Sequence, residues 1–162
     1  AGVALASVEI YDIASNTSTH TANMSIARLQ HTATVLPTKH VLVIGGTDGE
    51  KSLSSNELYN ISSNKWDSIA SISTARLGHT ATLLKTGEIL VTGGNNNGEY
   101  LSTCELYNPS DNKWKTVARM STYRIYHTAS LLPSGKVLVV GGHSSILGEI
   151  YDPSSDTWTP VS

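Results

Sequence analysis

The sequence predicts an all-β protein made of repeated four-stranded antiparallel sheets, and three observations carry this prediction. First, the motif Arg-x-x-His-Thr-Ala recurs every 48 residues, with its histidine at His31, His79 and His127. Second, short apolar or alternating runs bounded by turn residues recur at the same places in each repeat. Third, no window shows a sustained apolar period of about 3.6 residues, the period of an amphipathic helix. We therefore expect essentially no helix in these 162 residues.

Each repeat is predicted to contain four strands. The first strand begins at His-Thr-Ala, and a turn leads to the second. In the first full repeat the second strand is residues 41–44, and its apolar side chains predict that it is buried on both faces. A glycine pair, a Glu-x-Tyr strand and a strand with a tryptophan follow. The glycine pairs are Gly45-Gly46, Gly93-Gly94 and Gly141-Gly142, the Glu-x-Tyr segments begin at Glu57, Glu105 and Glu149, and the tryptophans are Trp66, Trp114 and Trp158.

These landmarks divide the single array, residues 1–162, into one half repeat and three full repeats, namely 1–26, 27–74, 75–122 and 123–162. The half repeat contains only the third and fourth strands, and Ser18 stands where the full repeats have tryptophan. The last repeat is shorter between its glycine pair and Glu149, which predicts a loop of variable length there.

The double glycine, the Tyr and Trp that follow it, and the period of roughly 50 residues resemble the kelch repeat family. The Arg-x-x-His-Thr-Ala opening is similar to kelch repeats of the galactose-oxidase central-domain type. The resemblance implies β-propeller blades: three full blades and an N-terminal half-blade, as part of a six- or seven-bladed ring. We number the half-blade 0 and the full blades 1 to 3. We expect a fragment of a larger propeller, the alternative being an open array whose exposed edges and apolar face favour self-association.

Composition argues against several functional classes. The formal net charge is −2 and basic residues form no cluster, so neither nucleic acid nor a membrane is an expected partner. Cys104 is the single cysteine, which excludes an intrachain disulfide and leaves the compartment undecided. No phosphate loop, dinucleotide fingerprint or nucleophile elbow is present, so we expect no enzyme, cofactor or metal.

Two functions remain open. The first is a non-catalytic scaffold that binds a protein or peptide through its blade-connecting loops. The second, which the resemblance implies, is the propeller portion of a secreted galactose-oxidase-like or carbohydrate-active protein whose catalytic residues lie outside this chain. A copper-radical site of that family needs a cysteine cross-linked to a tyrosine, but Cys104 has Asn56 at its equivalent position and looks like a substitution within a blade.

Two hypotheses describe the role of the repeated arginines, Arg28, Arg76 and Arg124. The resemblance implies that such arginines can point into the mouth of the central channel and hold acidic peptides. The residues themselves favour pairing with the repeated glutamates, because a carboxylate buried in a strand needs a partner. Their identity in every full blade also favours a structural role.

The repeated histidines are not expected to bind a metal, because equivalent strands diverge from the axis; we expect each to hydrogen-bond a loop backbone. Residues that differ between blades are better candidates for recognition, since loops on a rigid scaffold usually carry it. Gln30 and Tyr126, with Gly78 between them in sequence, precede the repeated histidine. The loops after the glycine pairs add Asp48, Asn96, Tyr100 and His143.

Overall fold

The computed structural model describes residues 2–142 and 147–161, so His143 lies outside the described residues. All regular secondary structure in these ranges is β-strand, and none of it is helical. Neither range contains a helix that could span a membrane. The strands are β1 Glu9–Asp12, β2 Thr17–His20, β3 Thr32–Val35, β4 His40–Ile44, β5 Asn56–Asn60, β6 Lys65–Ile69, β7 Thr80–Leu83, β8 Ile89–Thr92, β9 Asn95–Asn96, β10 Glu99–Tyr100, β11 Cys104–Asn108, β12 Lys113–Val117, β13 Thr128–Leu131, β14 Val137–Val140, β15 Gly148–Asp152 and β16 Thr157–Val161.

The strands form three four-stranded antiparallel sheets, one for each full blade. Their orders are β3-β4-β5-β6, β7-β8-β11-β12 and β13-β14-β15-β16. Blade 0 contributes β1 and β2 as a two-stranded sheet, and β9 and β10 form a short hairpin in the loop after the glycine pair of blade 2. The strand plan expected from the sequence is therefore present, whereas the β9–β10 hairpin was not anticipated.

The repeated tyrosine and tryptophan face each other across the third and fourth strands of each full blade. Tyr107 pairs with Trp114, for example, and their ring centroids lie 4.9 Å apart. The Trp114 indole N–H donates to the Ala70 carbonyl of the preceding blade at 2.8 Å. Trp66 and Trp158 make the equivalent bonds. The aromatic pair therefore joins neighbouring blades.

A polar turn residue completes this contact in each full blade. Asn112, between β11 and β12, has a left-handed backbone (φ 54°) that asparagine tolerates well. Its Oδ1 accepts the Tyr107 hydroxyl at 3.0 Å and the Ala70 N–H at 3.0 Å. Asn64 and Asp156 do the same in blades 1 and 3. The tryptophan and the turn residue of one blade thus bind both backbone groups of one alanine in the previous blade, and the tyrosine hydroxyl holds the turn residue in place.

Apolar side chains fill the spaces between the full blades. Ile44, Ile89 and Val91 lie in the cluster between blades 1 and 2, and Leu90 and Val139 lie in the cluster between blades 2 and 3. β8 is buried along its whole length, as predicted for a second strand. β14 departs from that prediction.

Val140, at the end of β14, is 44% exposed, because no described blade covers the far face of blade 3. At the other end of the array, β1 pairs only with β2 among the described strands. A cavity of about 520 Å³ opens beside blade 1 there, lined in part by Leu5, Val8 and Val43. The array therefore has two open sides, and the six- or seven-bladed ring stays a prediction.

In blades 1 and 2 the first glycine of the pair allows close approach of the following blade. Gly93 has φ 61°, and a Cβ there would lie 2.4 Å from the Arg124 carbonyl oxygen. The next residue, Gly94, donates its N–H to that same oxygen at 2.7 Å. Gly141 has a similar left-handed backbone (φ 78°), but a Cβ there would meet nothing within 4 Å. Comparing these two glycines therefore separates the cost of a left-handed backbone at alanine from the cost of a steric clash with the next blade.

We predict that Gly93→Ala destabilises the protein more than Gly141→Ala. Both changes place alanine at a positive φ, which costs about 1 kcal/mol or more. Only Gly93→Ala also forces a methyl group into a backbone oxygen, which adds roughly 1–3 kcal/mol. Urea unfolding of the two variants measures the difference, and equal losses would contradict the close-approach explanation.

Candidate functional site

Each repeated arginine forms an ion pair with the glutamate of its own blade. The Nη2–Oε1 distances are 2.6 Å for Arg28–Glu57, 2.8 Å for Arg76–Glu105 and 3.2 Å for Arg124–Glu149. The three arginine side chains are fully buried. The pairing hypothesis is confirmed, and the guanidinium groups do not face solvent.

The pairs fix the connectors, which lead from the last strand of one blade into the first strand of the next. The connector of blade 2 spans residues 70–79, and the Glu105 carboxylate accepts the N–H groups of Ser73 at 2.9 Å and Thr74 at 3.3 Å. Arg76 also donates to the carbonyls of Gly93 and Thr103, at 2.8 and 3.0 Å. In blade 1, burial alone would raise the pKa of Glu57, but hydrogen bonds from Ser25 and Arg28 outweigh it and lower the pKa.

The histidines of blades 2 and 3 bridge neighbouring blades. His79 Nε2 lies 2.9 Å from Thr32 Oγ1, and His127 Nε2 lies 3.0 Å from Thr80 Oγ1. These partners are threonine hydroxyls of the preceding blade, whereas we expected a loop backbone. Burial lowers the pKa of His79 to about 3 and that of His127 to about 4, so both rings are neutral near pH 7. Across residues 2–142 and 147–161, no group of His, Cys, Asp and Glu could hold a metal ion.

Gln30, Gly78 and Tyr126, which we call the mouth positions, lie next to one another in consecutive blades. The Gly78 N–H donates to the Gln30 carbonyl at 3.1 Å, and the Tyr126 N–H donates to the Gly78 carbonyl at 2.8 Å. All three have a left-handed backbone, with φ of 56°, 61° and 54°. The structure thus gathers the variable residues that precede the repeated histidine.

The side chains at the mouth positions also meet. The Tyr126 hydroxyl donates to Gln30 Oε1 at 2.9 Å, which links blade 3 to blade 1. Its ring passes over Gly78, where a Cβ would lie 2.8 Å from a ring carbon. Tyr126 is nevertheless 63% exposed, so a large aromatic surface faces solvent at this end of the array.

The loops after the glycine pairs of blades 1 and 2 lie beside the mouth positions. We call residues 47–55 and 95–103 the mouth loops, and these loops with the mouth positions form the mouth face. Leu29, next to Gln30, bridges to Thr47, and Leu77, next to Gly78, bridges to Asn95. The two loops also bind each other, because Ser52 N–H donates to Asn97 Oδ1 at 2.7 Å and Asn97 N–H donates to Ser52 Oγ at 2.9 Å.

The predicted loop residues occupy different environments. Asp48 accepts the N–H groups of Lys51 and Glu50, which lower its carboxyl pKa and order its own turn. Asn96 is half-buried in β9 opposite Glu99. Tyr100 is 46% exposed on β10.

Tyr100 stacks on Tyr123 of the next blade, with ring centroids 5.4 Å apart and an interplanar angle of 19°. Tyr123 is not among the residues that the sequence predicted for the site. The sequence nevertheless marks it as a variable position, because blades 1 and 2 have Ala27 and Ala75 at the equivalent place, just before the repeated arginine.

We predict that Arg76→Met destabilises the protein by about 3–5 kcal/mol, because it leaves the Glu105 charge buried without a cation. The double variant Arg76→Met/Glu105→Gln should regain part of that loss, since it leaves no buried charge and the amide oxygen still accepts the shorter of the two bonds, from the Ser73 N–H. Arg119→Met is the matched control at an exposed arginine and should change stability by no more than about 0.5 kcal/mol. Denaturant unfolding measures all three, and an unchanged Arg76→Met protein would refute a stabilising pair.

We also predict that stability falls as the pH decreases from about 6.5 to 4. Unfolding frees His79 and His127 to bind protons that they exclude when folded, so stability rises with pH across this window, by at most ~1.4 kcal/mol per pH unit for each ring. His79→Gln should reduce this slope. His20→Gln, at an exposed histidine, should not. Unfolding free energies at several pH values give the slopes, and identical slopes for wild type and His79→Gln would contradict the assignment.

The comparison with known families agrees with this architecture. A family model described as the KLHDC2/KLHL20/DRC7 Kelch-repeats domain matches residues 4–162. No curated protein matches the chain. The match spans the half-blade and all three full blades, and the described strands form the four-stranded antiparallel sheets expected of such repeats. The all-β, kelch-type prediction is confirmed, and the chain belongs to the Kelch-repeat family.

Proposed function

We propose that this chain is a non-catalytic scaffold that binds a protein or peptide partner on its mouth face. Kelch-repeat domains generally serve as protein-interaction propellers, and the family match supports this class of function. The assignment of partner binding to the mouth face rests on the side chains that this face presents to solvent.

The observation that carries the proposal is the arrangement of Tyr126 over Gly78. A left-handed backbone favours glycine at all three mouth positions, yet only Gly78 is one. Holding Gln30 and Tyr126 in this conformation costs about 1 kcal/mol each or more. Tyr126 buries little area in return, since it is 63% exposed. A strained, solvent-exposed tyrosine supports a role in contact with another molecule, because tyrosine is enriched at the centres of protein interfaces.

The other predicted residues have supporting parts in this proposal. Tyr100, Asn96 and Asp48 lie on the mouth loops, and His143, which is outside the described residues, belongs to the equivalent loop of blade 3. The repeated arginines act indirectly: each lies two residues before a mouth position and orders the connector that carries it.

The oxidase-like alternative has less support from the described residues. Cys104 packs among Leu90, Val117 and Met120, and burial raises the pKa of its thiol to about 12. A thiol held protonated in an apolar cluster is unreactive. Self-association also stays a prediction; the exposed Val140 and the cavity beside blade 1 are the surfaces that would support it.

We predict that Tyr126→Gly weakens partner binding at least tenfold and leaves the thermal midpoint unchanged or higher. Glycine keeps the left-handed backbone, so the variant removes the ring without adding strain. The measurement is fluorescence anisotropy with a peptide selected from a displayed library against the wild-type chain.

Tyr11→Ala provides the matched control, because Tyr11 is also highly exposed (57%) but lies on the half-blade. It should bind the selected peptide as wild type does. Failure to select any peptide, or equal affinity for wild type and Tyr126→Gly, would rule out binding at the mouth face.

A further inference from the structure

We propose that the mouth face binds a cationic segment of its partner, with a lysine or arginine side chain lying against the stacked Tyr100–Tyr123 pair. This inference rests on the proposed function and specifies the chemistry of the partner. Three features of the described residues carry it: the aromatic pair, the charges of the mouth loops and the burial of the repeated arginines.

The aromatic pair offers a surface suited to a cation. Tyr100 and Tyr123 are 46% and 39% exposed, although they stack on each other. The face of an aromatic ring carries partial negative charge and attracts a guanidinium or ammonium within about 6 Å of its centroid. Tyr123 and Tyr126 lie three residues apart on the same connector, so one segment carries both the stacked pair and the mouth position of blade 3.

The charges on the mouth loops favour a positively charged partner. These loops carry three carboxylates, those of Asp48, Glu50 and Glu99, against a single ammonium, that of Lys51. Glu99 directly precedes Tyr100 on β10. Hydrogen bonds from the Lys51 and Glu50 N–H groups lower the pKa of Asp48, which keeps its carboxylate ionised at neutral pH.

The carboxylates are held together rather than carried on independent loops. The reciprocal hydrogen bonds between Ser52 and Asn97 join the loop of Asp48 and Glu50 to the hairpin of Glu99. The hairpin is in turn joined to blade 3 by the stacking of Tyr100 on Tyr123. An approaching cation therefore meets a preformed edge, and little ordering is needed on binding.

The repeated arginines do not oppose this charge. Arg28, Arg76 and Arg124 would make the mouth face attractive to acidic peptides if their guanidinium groups reached solvent. Each is instead fully buried and neutralised by a glutamate of its own blade. The surface charge near the mouth therefore comes from exposed residues: the three loop carboxylates outnumber Lys51 and Arg119, an exposed arginine on the connector that carries Tyr123, and this balance favours basic over acidic partners.

The test uses four fluorescein-labelled glycine–serine peptides of equal length that carry three arginines, three lysines, three glutamates or no charge. We expect the arginine peptide to bind best, because a planar guanidinium can stack on a ring and hydrogen-bond a carboxylate at once. The lysine peptide should follow, and the neutral and glutamate peptides should bind at least tenfold more weakly. Anisotropy titrations give the affinities.

Two variants locate the contact. Tyr100→Ala should weaken binding of the arginine peptide about three- to tenfold, and Glu99→Gln should weaken it about two- to threefold and reduce its salt dependence. The matched controls, Tyr11→Ala and Asp67→Asn, change an exposed tyrosine on blade 0 and an exposed carboxylate on β6. Neither control should alter the affinity.

Several results would overturn the inference. If the glutamate or neutral peptide binds as well as the arginine peptide, and Tyr126→Gly abolishes that binding, the mouth face binds a partner of another charge and only the inference fails. The inference also fails if Tyr100→Ala leaves the affinity for the arginine peptide unchanged. It fails likewise if Asp67→Asn weakens that binding as much as Glu99→Gln does. If none of the four peptides binds and library selection likewise yields none, the proposed function fails with it.

Discussion

The buried Arg–Glu pair is the interaction on which the rest of each full blade depends. Arg76 shows how much one residue joins: its side chain pairs with Glu105 and donates to the Gly93 carbonyl, while its own carbonyl accepts the Gly46 N–H of the previous blade. The third strand, the glycine turn and the previous blade therefore meet at a single residue. Because two charges are withdrawn from water together, removing one is far more disruptive than removing both.

This arrangement explains how identical blades can carry a variable surface. The pair orders the connector through backbone N–H groups, and the mouth position lies only two residues further along the chain. Glutamine, glycine and tyrosine can therefore occupy the mouth positions without a change in the buried framework. The same burial removes the arginine charges from the surface, so that loop residues such as Glu99 determine its electrostatics.

The sequence predicted the strand plan and the Arg–Glu pairing because both follow from local rules: alternating apolar residues between turns, and the need of a buried carboxylate for a cation. It did not predict the role of Asn112, which looks like an ordinary turn residue. Its bond to the Ala70 N–H exists only because neighbouring blades pack at a particular distance. The stacking of Tyr123 was missed for the same reason, since it depends on a hairpin of the preceding blade.

The mouth positions are also coupled to one another, which limits how the surface can change. Tyr126 lies flat because Gly78 has no side chain; any Cβ there would approach the ring within 2.8 Å. Replacing Gly78 by a larger residue would have to lift the ring and break its hydrogen bond to Gln30. A larger side chain at Gly78 therefore requires a second substitution in the adjacent blade, whereas exposed loop carboxylates such as Glu50 and Glu99 can vary one at a time. The mouth face therefore combines a contact at Gln30, Gly78 and Tyr126, whose residues depend on one another, with exposed loop charges that can change independently.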